Sequence, residues 1–100
     1  MTTTEHGWII DQDYIDEGGA VGIHGPSSIS PKIVERLRAG EGEKFRLRDD
    51  DKILYFEGRL IDPVGSEETA FSPLNDFGMP SYGCTIQEYF DEKESSWKIL

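Results

Sequence analysis

Between Lys44 and Ile61 the chain alternates apolar and charged residues on either side of three consecutive aspartates, Asp49, Asp50 and Asp51, and that pattern admits few folds. Alternation has the two-residue period of a half-buried strand, and two such runs around a short polar turn make an antiparallel hairpin. Asp suits the turn because it tolerates unusual backbone angles and its carboxylate bonds nearby backbone N–H groups. With Asp50 and Asp51 at the centre, Leu47 faces Leu54 and Phe45 faces Phe56 on one side. On the other, Arg48 pairs with Ile53, Arg46 with Tyr55 and Lys44 with Glu57. A slip of one residue would set charged against apolar positions throughout, so the faces are tightly specified.

A short helix precedes the hairpin. Ser30 is a good N-cap, Pro31 suits the first helical position, and Ile29 and Val34 have the spacing of a hydrophobic staple. The helix is expected over 31–39, with Ile33, Val34 and Leu37 as its apolar stripe, Arg36 and Arg38 near its negative end, and Gly40 just beyond the C-cap. Strand signals recur at Trp8–Ile10, Ala20–His24, Cys84–Phe90 and Trp97–Leu100. The expected architecture is a single α+β domain over residues 1–100: one antiparallel sheet of about five strands, one short helix, and a long aromatic-rich loop over 62–83 covering one face.

That loop has no clean period yet holds Phe71, Leu74, Phe77, Met79 and Tyr82. Structureless loops of such length are uncommon in a small domain unless they are functional or pack on something. Five strands span roughly 24 Å and one helix about 10 to 12 Å, so the helix alone leaves apolar sheet uncovered. Most of the loop's apolar side chains are therefore expected in the core, with one or two of Phe71, Phe77, Met79 and Tyr82 left outside.

The formal charge is −10, and eight of the ten basic residues lie between Lys32 and Arg59. Long-range repulsion disfavours direct binding to nucleic acid or to an anionic membrane. It leaves two readings of the acids: a solvated surface, or a face that docks on a basic protein partner. No apolar run approaches the roughly 20 residues of a membrane span, and Met1 to His6 lacks the regions of a secretory signal. A single cysteine, Cys84, gives no disulfide framework and no zinc knuckle, which fits the cytoplasm.

No constellation argues for catalysis. Asp11, Asp13, Asp16 and Glu17 precede two glycines as in calcium loops, but the twelfth position is Gly22 where a bidentate Glu is needed, so no metal is expected. No phosphate loop, serine elbow or histidine pair at ligand spacing is present, and no cofactor is expected. A pocket between the loop and the sheet, offering His24, Cys84, Glu88 and Tyr82, is the enzymatic or ligand-binding alternative. Glu88 falls on the apolar side of its strand in the alternation Cys84, Ile86, Glu88, Phe90, which implies a raised-pKa acid, an arginine partner or a place near a sheet edge where it reaches solvent. Arg46, Arg48, Tyr55 and Arg59 share the outer hairpin face and suit a contact surface, unless Arg46 merely stacks on Tyr55. The interaction candidates are thus Arg46, Arg48, Tyr55, Phe71, Asp76, Phe77, Met79 and Tyr82. Self-association through uncovered sheet is a third reading.

Three stretches carry a resemblance: Gly7-Trp8-Ile9-Ile10-Asp11, the hairpin from Phe45 to Arg59, and Phe71-Ser72-Pro73-Leu74-Asn75-Asp76-Phe77-Gly78-Met79-Pro80 leading to Gly83-Cys84-Thr85. Together they resemble a group of small acidic proteins of bacteria and of their phages or other mobile elements. The resemblance implies a cytoplasmic accessory protein and brings no catalytic residues.

Overall fold

The computed structural model describes residues 3–100. Its strands are β1 Gly7–Asp13, β2 His24–Gly25, β3 Glu43–Arg48, β4 Leu54–Ile61, β5 Ile86–Asp91 and β6 Ser96–Ile99. They form one open antiparallel sheet in the order β2-β1-β4-β3-β5-β6. The helices are α1 Pro31–Arg38, α2 Glu67–Ala70 and α3 Met79–Tyr82, with a π-helical turn at Leu74–Gly78 before α3. No helix among the described residues is long and apolar enough to cross a membrane.

Helix α1 follows its local signals. The Ser30 hydroxyl accepts the Lys32 N–H, and Pro31 occupies the first turn. Gly40 adopts φ +97°, where its N–H reaches Leu37 O and the Glu41 N–H reaches Arg36 O, a Schellman ending that satisfies two terminal carbonyls. Ile33 and Leu37 are buried, while Val34 is only half-buried.

The hairpin keeps its expected faces but not its expected register. Leu47 lies opposite Phe56, Arg46 opposite Glu57 and Phe45 opposite Gly58, two residues from the pattern centred on Asp50 and Asp51. A shift of two preserves inside and outside, so alternation alone does not detect it. The cause is the turn: Asp49 accepts the N–H groups of Asp51 and Ile53, Lys52 takes φ +65°, and the loop runs longer than a two-residue connection. A bulge then sets Arg48 against Leu54 and leaves Tyr55 as the extra residue.

The sheet carries apolar packing on both faces, though on the outer face only over β1 and β4. Trp8 and Ile10 join Phe45, Leu47, Phe56, Leu60, Leu74, Phe77 and Cys84 in the larger cluster, on what we call the inner face. Ile9 points the other way and packs with Ile33, Leu37 and Ile61 under α1, on the outer face. The helix and the 62–83 segment therefore lie on opposite faces rather than sharing one. The reason is in β1, whose Trp8-Ile9-Ile10 run is apolar on both sides, as expected of a strand buried twice.

The 62–83 segment is not structureless. Ser66 caps α2 by accepting the Thr69 N–H, and residues 72–82 are helical through the π-helical turn. Pro80 has no N–H for the carbonyl four residues back, and its ring crowds that carbonyl. The preceding turn is widened accordingly, with Met79 N–H bonding Leu74 O. Elsewhere, the strand expected over Ala20–His24 shrinks to His24–Gly25, because Gly18 and Gly22 take positive φ and carry residues 14–23 through turns.

Candidate functional site

The inner face uses up most of the loop residues expected at an interface. Phe77 is 7% exposed and packs its ring 5.5 Å from Trp8, 5.1 Å from Phe56 and 5.3 Å from Tyr82. Phe71 and Tyr82 are half-buried against the same cluster. Asp76 accepts the Trp8 indole N–H at 3.2 Å, tying the segment to β1. Met79, 47% exposed, remains available. Gln87, which sequence reasoning missed, is 2% exposed: its amide donates to Ala70 O at 2.7 Å and accepts the Leu74 N–H at 3.2 Å. A polar residue in an alternating strand gave no signal that it would be buried to satisfy a helical segment's backbone.

The outer face divides into two halves. Beneath α1, Arg59 makes a forked pair with Asp11 at 2.7 and 2.8 Å, and its remaining guanidinium nitrogen donates to Leu37 O at 2.6 Å and Glu41 O at 2.9 Å. The hydrogen bond to Asp11, with its charge, raises the Arg59 pKa above its ordinary value and outweighs the lowering by burial. Arg59 thus joins β1, β4 and the helix C-terminus and is a structural tie. Away from α1, the outer faces of β3, β5 and β6 carry no helix. There Arg46 bonds Glu57 at 3.1 Å and stacks its guanidinium 4.0 Å from the Trp97 ring centre, while Trp97 meets Phe90 edge-on. Lys44 stands 5.8 Å from the Phe90 ring. These groups border an open groove of about 680 Å³ that Tyr14 and Asp11 also line.

Arg46 therefore stacks on Trp97 and not on Tyr55. The bulge turns Tyr55 out of that face: its ring joins the inner cluster beside Phe56, and the neighbouring Asp49 carboxylate raises its hydroxyl pKa. Arg48 pairs with Glu88 at 2.5 Å and donates to Lys52 O, so Glu88 takes the arginine-paired alternative on an internal strand, not the edge one. The expected alternation with Cys84 does not persist, because Glu88 lies on the outer face and Cys84 in the inner core.

The residues offered for a pocket are scattered. His24 is on edge strand β2 and Glu88 on β5, four strand spacings away, or about 19 Å. Burial in the core pushes the Cys84 thiol up to about 11, with Asp49 adding to the shift, so it is no thiolate nucleophile near neutral pH. Tyr82 reaches Asp16 at 3.4 Å. Cooperating catalytic groups need hydrogen-bonding reach, which this set lacks.

One end of the sheet gathers three connections. Tyr14 N–H bonds Tyr55 O, Tyr82 reaches Asp16, and Thr85 bonds both Asp50 Oδ1 and Arg48 O, which brings together residues 14–23, 49–53 and 79–85. This end shows Tyr14, Ile15, Ile53 and Met79 to solvent, while Val21 and Ile23 are exposed further back along the β1 edge, where Ile23 O accepts the Ile10 N–H. Its acids are Asp13, Asp16, Glu17, Asp49, Asp50 and Asp51, and Lys52 is the one base in these three connections. Asp13 is a turn-former: burial raises its pKa, but N–H groups of Ala20, Ile15 and Asp16 outweigh that and hold the carboxyl below its usual range. Asp49 is likewise lowered, first by the Ile53 N–H. Among the described residues no group of three or more His, Cys, Asp or Glu is arranged to hold a metal.

Comparison with protein-family models, with curated proteins and with solved structures gave no match to this chain.

Proposed function

We propose that this chain is a non-catalytic protein-binding module, accessory or inhibitory in role, that meets a basic protein partner at its acidic end. The observation that carries this reading is the coincidence, on three converging connections, of exposed apolar side chains with uncompensated carboxylates. Exposed apolar residues supply contact energy, and a ring of one charge steers and selects a partner of the other. Met79 and the half-buried Tyr82 belong to this end, which keeps part of the aromatic segment in the role first expected of it. The wide separation of His24, Cys84 and Glu88 weighs against the enzymatic alternative. The lone buried thiol suits a cytoplasmic setting, and the resemblance to small acidic proteins of bacteria and phages agrees with an accessory role.

Affinity capture with the wild-type chain and two variants tests this. The first variant removes charge (Asp16→Asn, Glu17→Gln, Asp51→Asn) and the second removes apolar contact (Ile15→Ser, Met79→Ser). A partner of high isoelectric point, eluted by salt and lost from both variants, is expected. Capture that is indifferent to both variants, or absence of any saturable partner, removes the proposal.

A further inference from the structure

The outer groove carries more positive charge than its own carboxylates neutralise. Lys44 lies directly across from Arg59 on β4, and Arg46 follows two residues along β3 on the same face. Like charges set opposite one another on neighbouring strands are destabilising. The two acids of this patch are already engaged: Asp11 sits in the fork of Arg59, while Glu57 accepts the Tyr14 hydroxyl on Oε1 and the Arg46 Nε–H on Oε2. Lys44 is left without an ion pair, and the two terminal nitrogens of Arg46 donate to nothing among the described residues. Lys32, Arg38, Lys52 and Lys93 also make no ion pair among the described residues, but Lys44 alone of these five stands beside a ring, that of Phe90. Trp97, edge-on to Phe90 and under the Arg46 guanidinium, is half-buried like it. Free donors and incompletely buried aromatic rings thus meet at one place.

The net charge limits what can fill it. Every negative charge brought up to a molecule of charge −10 is repelled by the rest of that molecule. Nucleic acid or an acidic protein meets this repulsion many times over, a single anionic group once. The groove, of about 680 Å³, has the volume of a small-molecule site.

We infer that this groove binds a small planar molecule bearing one carboxylate or phosphate group. The anion's oxygens accept from the Lys44 ammonium and from the terminal N–H groups of Arg46, and the planar body lies against Phe90 and Trp97. A guanidinium matches either anion with two parallel hydrogen bonds, so Arg46 orients the ligand while Lys44 adds charge. Of the residues at the acidic end only Tyr14 also lines this groove, so the site stands independently of the protein partner proposed there.

Nuclear magnetic resonance titration of the indole N–H signals tests this, with benzoate, phenyl phosphate, inorganic phosphate and uncharged benzyl alcohol as probes at fixed ionic strength. The chain supplies its own control, because Trp97 lines the groove whereas the Trp8 indole is buried and bonded to Asp76. The expected result is a saturable shift of the Trp97 signal with benzoate or phenyl phosphate, at a dissociation constant on the order of 1 mM for ligands so small, with Trp8 unmoved. The tighter of these two probes names the anion. Inorganic phosphate and benzyl alcohol each offer half of the recognition and should bind about tenfold more weakly or worse. Lys44→Gln, at an exposed position, should weaken binding about tenfold. Arg46→Lys keeps the charge but not the fork and should weaken it as well. The charge-removing variant of the acidic end should bind these probes no less tightly than the wild type, which separates this site from the partner surface. Absence of a saturable Trp97 shift, benzyl alcohol binding as tightly as benzoate and phenyl phosphate, or full affinity in the folded Lys44→Gln chain overturns the proposal.

Discussion

The two faces of this sheet are covered by very different amounts of chain. On the inner face, residues 62–83 place a ring cluster of Phe77, Phe56, Trp8 and Tyr82 over the central strands and bind it with Gln87 and Asp76. On the outer face, α1 covers β1 and β4 with Ile33 and Leu37, and β3, β5 and β6 are left with Arg46, Phe90 and Trp97 facing solvent. The difference teaches that aromatic residues alone do not make a core on this sheet. Where aromatic residues are stapled by buried hydrogen bonds they serve the core. Where they are stacked under a guanidinium at the surface, their burial is incomplete and a partner can complete it.

Three substitutions probe this contrast. Phe77→Ala should have the largest effect: a nearly buried ring is lost from the inner cluster, costing about 3–5 kcal/mol in urea unfolding. Arg59→Met should cost about 2 kcal/mol, since it leaves Leu37 O, Glu41 O and Asp11 without their charged donor while keeping much of the side-chain volume. Hydrogen exchange in α1 should accelerate with it. Trp97→Ala should cost less than about 1.5 kcal/mol, because its main contacts are one stacked arginine and one edge-on ring. A Trp97 effect equal to that of Phe77 would break the distinction between the faces.

Local chemistry was legible in the sequence and non-local pairing was not. Helix α1 announced itself through Ser30, Pro31 and Gly40 because each acts within one turn. The hairpin announced its faces through alternation, but its register depended on how the Asp49 carboxylate and Lys52 shaped the turn. The helical turns of 67–82 escape a reading by periodicity because α2 and α3 are four residues each, too short for a period. The covering of both faces was implicit in Trp8-Ile9-Ile10, whose lack of alternation fits a doubly buried strand better than a half-exposed one. At the candidate sites, Arg46 is expected to stack on Tyr55 if on any ring, but its aromatic partner lies far downstream at Trp97, across β5, and nothing local links them.

Gly58 has a bearing on the two-residue ambiguity of the hairpin. A Cβ there would stand 2.1 Å from the Ile9 carbonyl and 2.6 Å from the Phe45 ring. In the observed alignment Phe45 lies across from this bare position, its ring filling the space a side chain would claim, whereas the alternative would set Phe45 across from Phe56. Both alignments satisfy the hydrophobic pattern equally. The absence of a side chain at one position on β4 therefore works as a frame marker, choosing between two readings of the same alternating text.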